Sequence, residues 1–378
     1  MNILIISPGI YPCAIGGVGV FNYYFSKELA DRGNNVYILT TCKYGWTNKR
    51  IFRVQLMRAR KKILLHPAFA IYFQLFFKLI GFRKEIDVIH VPYTSNSPLA
   101  FPVVVAKRLF DIPPYVILIH GGGMYPWKPK IVHRLFFQYA DAVIAVSENI
   151  RREYEKRSGR KIEVIPPLIP FRESKDSKEQ LRVRYGFDGQ NTIILFLGTI
   201  KKIKGGDILL DAFFGLGKEY LEKNNLKLLY VGDGPMKPIL MKRVDEKGFN
   251  KYVEFFGSVP YESVPRMYKI ADVYVIPSLF EGTPISLLEA MFNGLPIIGT
   301  DTNGINNIIC NERSGLLFKK GDIEDLKEKI NNLAESKELR IRLGNNAKKD
   351  YFKNYNFDDA VSEHIRVYRS IIEDDSVT

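Results

Sequence analysis

Short apolar runs rich in Val, Ile, Leu and Tyr recur along this 378-residue chain, and longer stretches of helical character separate them. Within each run the apolar residues are nearly continuous rather than alternating, as expected of strands covered on both faces. Doubly covered strands that alternate with helices build parallel sheets with helical crossovers. Residues 3–7, 35–40, 87–90, 115–120, 142–146 and 161–165 form a first set of such runs. A proline-rich exit, Ile165-Pro-Pro-Leu-Ile-Pro170, then leads into residues 171–188, a charged and mostly polar stretch that reads as a linker. The pattern restarts with strands at 192–197, 227–231, 252–256, 273–276 and 296–300, and with helices at 208–214, 264–269 and 284–292 among others. After Asp322 the chain reads as helix to its end. With 46% hydrophobic residues, the length supports two packed cores. The expected class is α/β, with two similar open sheets facing each other across a cleft. Ligands of such sheets bind outside the carboxyl ends of the strands, so that cleft is the expected site.

The net charge of +14 is unevenly placed. Residues 1–170 hold 24 Lys/Arg against 10 Asp/Glu, whereas residues 171–378 hold 31 of each. Between Arg32 and Lys84 there are twelve basic residues and no acidic one, with Arg58, Arg60, Lys61 and Lys62 clustered. Such a field recruits an anionic surface. The apolar segment that follows, residues 63–80, is interrupted by His66, Pro67, Gln74 and Lys78, and is too short and broken to span a bilayer. It suits an element lying on anionic lipid, and equally a buried helix of the first domain behind a solvated basic loop. No nucleic-acid-binding pattern accompanies the charge, so nucleic acid is not an expected partner. Cys13, Cys42 and Cys310 are odd in number, far apart and without metal-site or disulfide-framework spacing, which predicts unpaired thiols and a reducing, cytoplasmic address. The strand-like start Asn-Ile-Leu-Ile-Ile carries no secretion signal.

The segment richest in chemistry is Pro277-Ser-Leu-Phe-Glu281-Gly-Thr-Pro-Ile-Ser-Leu-Leu-Glu289-Ala-Met-Phe-Asn-Gly294-Leu-Pro296. Thr283 suits an N-cap and Pro284 a first helical residue, so the helix is predicted to begin there, with unpaired amides near residues 285–287. Those amides form an anion pocket in which a phosphate gains hydrogen bonds and a favourable helix dipole without a metal. Glu281 falls just before the helix and Glu289 in its second turn, one carboxylate on each side of the bound phosphate. Two glutamates at this spacing are in isolation commonplace, and so is a capped helix carrying two surface carboxylates.

Embedded in Phe-Glu-Gly-Thr-Pro, Leu-Leu-Glu-Ala-Met and Gly-Leu-Pro, the pair resembles the E-x7-E motif of retaining glycosyltransferases of the GT-B fold, and the surrounding sequence resembles glycosyltransferase family 4. The resemblance implies two Rossmann-like domains: an acceptor-side domain over residues 1–170 and a nucleotide-sugar-binding domain over 171–357. The terminal helix, about 358–378, is then expected to pack back onto the first domain. It implies that Glu281 binds donor-sugar hydroxyls, that Glu289 binds the ribose, and that the backbone of Gly282, Thr283, Pro284, Ile285, Ser286 and Leu287 lies near the sugar and diphosphate. After the strand at 192–197, Gly198-Thr199-Ile-Lys201-Lys202-Ile-Lys204-Gly205 matches the family's Gly-Arg and Lys-Gly pattern at Lys204 but has Thr199 in place of the arginine. Lys201 or Lys202 is the available substitute charge; a loop lysine is otherwise usually just solvated. Val259, in Gly257-Ser-Val259, stands where the family contacts the base. In the first domain Gly16-Gly17-Val-Gly19 follows the first strand. It is neither a Walker loop nor a dinucleotide fingerprint, and alone would be a tight turn. The resemblance makes it the loop that approaches donor diphosphate and acceptor, where a Cβ would obstruct. His120, at a strand's carboxyl end before Gly121-Gly122-Gly123, matches a functional histidine near the donor sugar; His90, in like context, serves as a structural control.

The implied activity is transfer of a hexosyl group from a nucleotide-diphosphate donor, a UDP- or GDP-sugar, to an acceptor hydroxyl with retention. No metal or other cofactor is expected. Envelope polysaccharide, lipopolysaccharide or lipid-linked glycan is the expected acceptor class, and the inner membrane face the expected location. The departure at Thr199 and the basic first domain leave a second reading, a decayed membrane-associated nucleotide-sugar-binding scaffold.

Overall fold

The structure is a computed structural model that describes residues 1–14, 16–43, 48–56, 67–94, 99–121 and 136–375. The cluster Arg58, Arg60, Lys61 and Lys62, residues 63–66, and Gly122 and Gly123 lie outside the described residues. The chain forms two compact units, one of Met1–Pro170 with Asn356–Thr378 and one of Phe171–Tyr355.

The first unit holds a seven-stranded sheet of order β3-β2-β1-β4-β5-β6-β7, in which every pairing is parallel. Its strands are β1 Asn2–Ile6, β2 Asn35–Thr40, β3 Ile51–Gln55, β4 Val88–Thr94, β5 Tyr115–Gly121, β6 Ala142–Ala145 and β7 Glu163–Val164. The central strands are buried along almost their whole length, Ile3, Ile5, Ile6, Val116, Ile117, Leu118 and Ile119 among them, because helices cover both faces. The second unit repeats the design with six parallel strands, order β10-β9-β8-β11-β12-β13: β8 Thr192–Leu197, β9 Leu226–Val231, β10 Val253–Gly257, β11 Val273–Ile276, β12 Ile297–Asp301 and β13 Leu316–Lys319.

β3 and β13 do not appear among the predicted strands. β3 reads Ile-Phe-Arg-Val-Gln, with Phe52 and Arg53 exposed, and β13 is four residues long and ends on the exposed Lys319, so neither shows a long continuous apolar run. The predicted linker at 171–188 is also corrected. It contains the helix Lys178–Arg184, opened by a capping box between Ser177 and Gln180, with Leu181 buried and the Arg182 guanidinium bonded to the Ile270 carbonyl and to Asp272. Its polarity is that of a helix tied down by hydrogen bonds. The chain after Asp322 is three helices, Ile323–Glu335, Lys337–Asn354 and Phe357–Asp375.

The expectation of three unpaired thiols is overturned. Cys13 and Cys42 form a disulfide with a Cα–Cα distance of 5.7 Å, leaving only Cys310 free. The parallel pairing of β1 with β2 explains it, since parallel neighbours end side by side and their following loops meet although 29 residues separate the cysteines.

The helix Phe357–Asp375 packs on the first unit's sheet and on α1, Gly17–Asp31. Tyr368 places its hydroxyl 2.6 Å from His90 Nδ1, and the His364 ring lies 4.8 Å from that of Phe25. Arg32 binds the Asp358 carboxylate at 2.9 Å. His90 is thus a structural histidine. Around this seam His90, His120 and His364 each bury an Nε2 with no hydrogen-bond partner among the described residues, as do Asn22 Oδ1 and Ser26 Oγ. Burial, and then mutual repulsion with His364, lowers His120 to about 3. Burial lowers His364 to about 4 despite the opposing Ala360 carbonyl and Glu363, and lowers His90 well below the usual histidine range. A histidine whose native pKa is depressed takes up its proton first in the unfolded chain, so stability is full above about pH 6.5 and falls as the pH drops from there toward 4. Chemical denaturation of the first unit should therefore show stability falling by up to ~1.4 kcal/mol per pH unit for each such histidine, with a shallower slope in His364→Gln; a flat profile between pH 7 and 5 would contradict it.

Candidate functional site

In the second unit the strand order reverses between β8 and β11, so the chain leaves these adjacent strands toward opposite edges of the sheet. At such a switch point the loops after the two strands diverge and open a crevice at the carboxyl edge. The two loops are those carrying the predicted residues: 198–205 after β8, and 277–284 after β11.

The crevice is closed at its base by close backbone approach. Leu279 donates its amide to the Ile203 carbonyl at 2.9 Å. Gly205 has φ +67°, and a Cβ there would collide with the Pro277 carbonyl. Gly304, φ +89°, likewise lies against the carbonyls of Glu281 and Gly282. Across the crevice Lys204 Nζ meets Glu281 Oε1 at 2.6 Å, with the carboxylate 10% and the lysine 34% exposed. The two residues taken from separate motifs are therefore partners. Thr199 is exposed at the start of the first loop. Of the two substitute cations, Lys202 is held by the buried Asp207, and Lys201 makes no ion pair among the described residues.

The helix after the second loop spans Ile285–Phe292, one residue later than predicted. Pro284 occupies the N-cap with extended ψ of 113°, and its carbonyl accepts from the amides of Leu287 and Leu288 at 3.0 and 3.3 Å. Thr283 therefore precedes the cap, and the Leu287 amide is already engaged. The amides of Ile285 and Ser286 carry no hydrogen bond among the described residues, so the anion pocket narrows to these two. Gly282 is buried. Glu289 is buried in the second turn, where Tyr261 donates to Oε1 at 2.6 Å and the Tyr268 hydroxyl lies 3.0 Å from Oε2. Burial raises Glu289 to about 7 against the opposing effect of the two tyrosines. Val259 is half-buried two residues before Tyr261, in the loop that follows β10. Tyr274 adds a 2.8 Å bond to Ser286 Oγ. These three tyrosines were not anticipated; the loop holding Val259 was the one signal pointing toward Tyr261.

Gly16, Gly17 and His120 belong to the first unit. Gly16 is the N-cap of α1, and a Cβ added to it would meet nothing within 4 Å. The steric demand falls instead on Gly19, where a Cβ would come within 2.9 Å of the Ala14 carbonyl. His120 is the penultimate residue of β5, with its ring edge-on to Phe21, centroids 5.3 Å apart, and its Nε2 shielded.

The Gly205 geometry gives a sharp expectation. Gly205→Ala should cost the second unit about 2–4 kcal/mol, from the left-handed backbone and the collision with Pro277. Gly217→Ala, at φ +78° with open space around it, should cost only about 1 kcal/mol. Equal losses in denaturant titrations of the two variants would show that the loop does not need its close approach.

A family model described as Glycosyl transferases group 1 matches residues 177–350, and one described as Glycosyltransferase Family 4 matches residues 15–172. The chain is 25% identical over 377 residues to N-acetyl-alpha-D-glucosaminyl L-malate synthase of Bacillus anthracis, covering 97% of this chain and 96% of that one. It is 26% identical over 285 residues to UDP-Gal:alpha-D-GlcNAc-diphosphoundecaprenol alpha-1,3-galactosyltransferase of Escherichia coli, covering 70% of each. The solved structure of HepE from Anabaena in complex with UDP-glucose superposes with a TM-score of 0.77 at 18% identity, over the whole of both chains. Matched by family models over both of its units, and folded as solved relatives are, the chain belongs to glycosyltransferase family 4 and carries the GT-B fold of two Rossmann-like domains.

Proposed function

We propose that this chain is a retaining hexosyltransferase that moves a sugar from a UDP- or GDP-sugar to an acceptor hydroxyl in envelope or lipid-linked glycan synthesis, and needs no metal to do so. The observation that carries the reading is the Lys204–Glu281 pair at the switch point, beside the two unengaged amides of Ile285 and Ser286. A lysine and two amides supply fixed positive potential for a leaving diphosphate, and each such donor is worth ~2.7–4 kcal/mol in the transition state. Glu281 takes the donor-sugar hydroxyls and Glu289 the ribose pair, with Val259 against the base. Thr199, Gly282, Thr283, Pro284 and Leu287 complete the donor site through shape and backbone. Gly16 and Gly17 serve the diphosphate and acceptor. His120, whose low pKa keeps it neutral, serves as a polar contact rather than a cation. The acceptor attacks the face from which the diphosphate departs, and the diphosphate takes the acceptor's proton, so no separate general base is required. The UDP-glucose held by HepE and the UDP-Gal in the name of the Escherichia coli relative support the donor class.

The acceptor reading rests on the surface of the first unit and on the diphosphoundecaprenol in that same relative's name. Helix α2, Pro67–Phe82, buries Leu75 and Leu79 but exposes Phe73 and Phe77, and α3, Ala100–Leu109, exposes Phe101, Leu109 and the following Phe110. Lys78, Arg83, Lys84 and Arg108 are exposed along the same segments. No described helix is long and apolar enough to cross a membrane. Exposed aromatics with cations beside them suit peripheral attachment to anionic lipid at the cytoplasmic face.

The donor test is release of nucleoside diphosphate from a panel of nucleotide sugars in EDTA. One donor should turn over, with a loss of 100-fold or more in Glu281→Ala and in Lys204→Ala; no turnover and no binding of any donor would favour the scaffold instead. For the surface, sedimentation with vesicles containing anionic lipid should exceed that with neutral vesicles, and should fall in Phe73→Ser/Phe77→Ser. Equal sedimentation with both vesicle types would remove the membrane from the proposal.

A further inference from the structure

The surroundings of Glu289 pose a problem of hydrogen counting. Its carboxyl is buried and has no cation within ion-pair distance among the described residues. Three short oxygen–oxygen contacts meet there: Tyr261 to Oε1 at 2.6 Å, Tyr268 to Oε2 at 3.0 Å, and Tyr268 to the Ser286 carbonyl at 2.9 Å. A tyrosine hydroxyl has one hydrogen, and an ionised carboxylate and a carbonyl have none. With Glu289 ionised, two hydrogens must serve three contacts, and Tyr268 must divide one between Oε2 and Ser286. With Glu289 neutral, each contact has its own hydrogen. Tyr261 then gives to Oε1, the carboxyl's proton on Oε2 gives to the Tyr268 oxygen, and Tyr268 gives to Ser286.

We propose that Glu289 is a neutral carboxyl in the donor-free chain, its proton lodged against the Tyr268 hydroxyl, and that Tyr261 and Tyr268 are positioning residues that ready it to become a carboxylate when a nucleotide sugar's hydroxyl pair arrives. The second half rests on the nucleotide-sugar reading above. A carboxylate accepts from both hydroxyls of a vicinal pair, whereas a neutral carboxyl must spend one oxygen as a donor. Engagement of the pair therefore expels the proton, which passes to buffer: one O–H bond of Glu289 breaks, and one bond to the buffer base forms. On ionisation Tyr268 turns its hydrogen from Ser286 to Oε2, so the tyrosines serve both states.

The groups facing Glu289 support this assignment. Tyr261 comes from the turn after β10, Tyr268 from the helix Val264–Ile270, Tyr274 from β11 and Tyr351 from the helix Lys337–Asn354. All four are phenols held above their usual range by burial first, or, for Tyr261, bonded directly to the carboxyl. Lys204, the cation of the candidate site, is paired with Glu281 and not with Glu289. Burial without a compensating cation accordingly places Glu289 near 7.

The first experiment needs no ligand. Isotope-edited infrared spectroscopy of the whole chain with labelled glutamate should show a protonated carboxyl band that persists to about pH 7 and is absent in Glu289→Gln. In Tyr268→Phe and Tyr261→Phe its midpoint should move upward by about one pH unit, because a charge-assisted bond to the ionised form is lost. A Glu289 already ionised at pH 5.5, or a midpoint indifferent to Tyr268→Phe, would overturn the proposal. The second experiment is calorimetry of UDP and GDP binding at pH 6.5 in two buffers of different ionisation heat. Net proton release of about half an equivalent or more is expected; binding without release overturns the coupling. Failure to bind either nucleotide overturns the nucleotide-sugar reading together with the coupling, and leaves the infrared result as the test of the neutral carboxyl.

Discussion

Everything in the second unit's candidate site depends on the reversal of strand order between β8 and β11. Parallel pairing aligns the carboxyl ends of all six strands along one edge, but only at the reversal do two consecutive outgoing loops part from each other. Lys204 and Glu281, far apart in sequence, are brought to 2.6 Å by that topology. The glycines follow from the same cause. Gly205 and Gly304 are required because backbone from neighbouring loops crowds into the space the parting loops leave. Gly232 and Gly234, after β9, press in turn against the carbonyls of Gly198 and Ile200, and fix the start of the loop that ends in Lys204.

The central strands of both sheets were legible because they are buried on both faces, where continuity of apolar residues is the whole signal. β3 and β13 were not, since β3 reads as a mixed segment through its exposed Phe52 and Arg53, and β13 has four residues and ends on the exposed Lys319. The polar stretch from 171 to 188 misled for the converse reason: Arg182 and Lys178 are buried or half-buried cations whose partners, the Ile270 and Ala271 carbonyls and Asp272, are distant in sequence and invisible to a local pattern. The Cys13–Cys42 pair failed the same way, as its proximity is a property of the β1–β2 register. At the candidate site, Glu281, Glu289 and Lys204 could be picked out by motif, whereas Tyr261, Tyr268 and Tyr274 could not. A tyrosine that positions a carboxylate looks, in one sequence, like any core aromatic.

The two units bury titratable groups to opposite effect. In the first, His90, His120 and His364 are driven neutral by burial at the seam between the sheet and the terminal helix, so acid acts against the native state. In the second, the same desolvation drives Glu289 neutral by making it hold a proton, and its ionisation at higher pH is the unfavourable event. His90 and His364 meet aromatic rings and each other, each with an Nε2 that has no hydrogen-bond partner among the described residues. Glu289 meets hydroxyls, which can serve either protonation state by turning one hydrogen.

That difference separates a group buried for packing from one buried for binding. A buried ion pair or carboxyl is weak evidence for stability, since desolvation consumes most of what Coulomb attraction returns. Lys204 and Glu281 are poorly designed as a stabilising pair. The lysine stays one-third exposed while its partner is nearly buried, and with three hydrogens on its nitrogen only one is committed to Glu281. The arrangement makes sense if the remaining donors are held for an anion arriving from solvent, with Glu281 fixing the direction in which they point. The uncommitted amides of Ile285 and Ser286 face the same requirement: at a helix start they need an acceptor, and the protein withholds one. A chain that leaves a lysine and two amides under-bonded at the crevice where its second sheet reverses has reserved that crevice for negative charge.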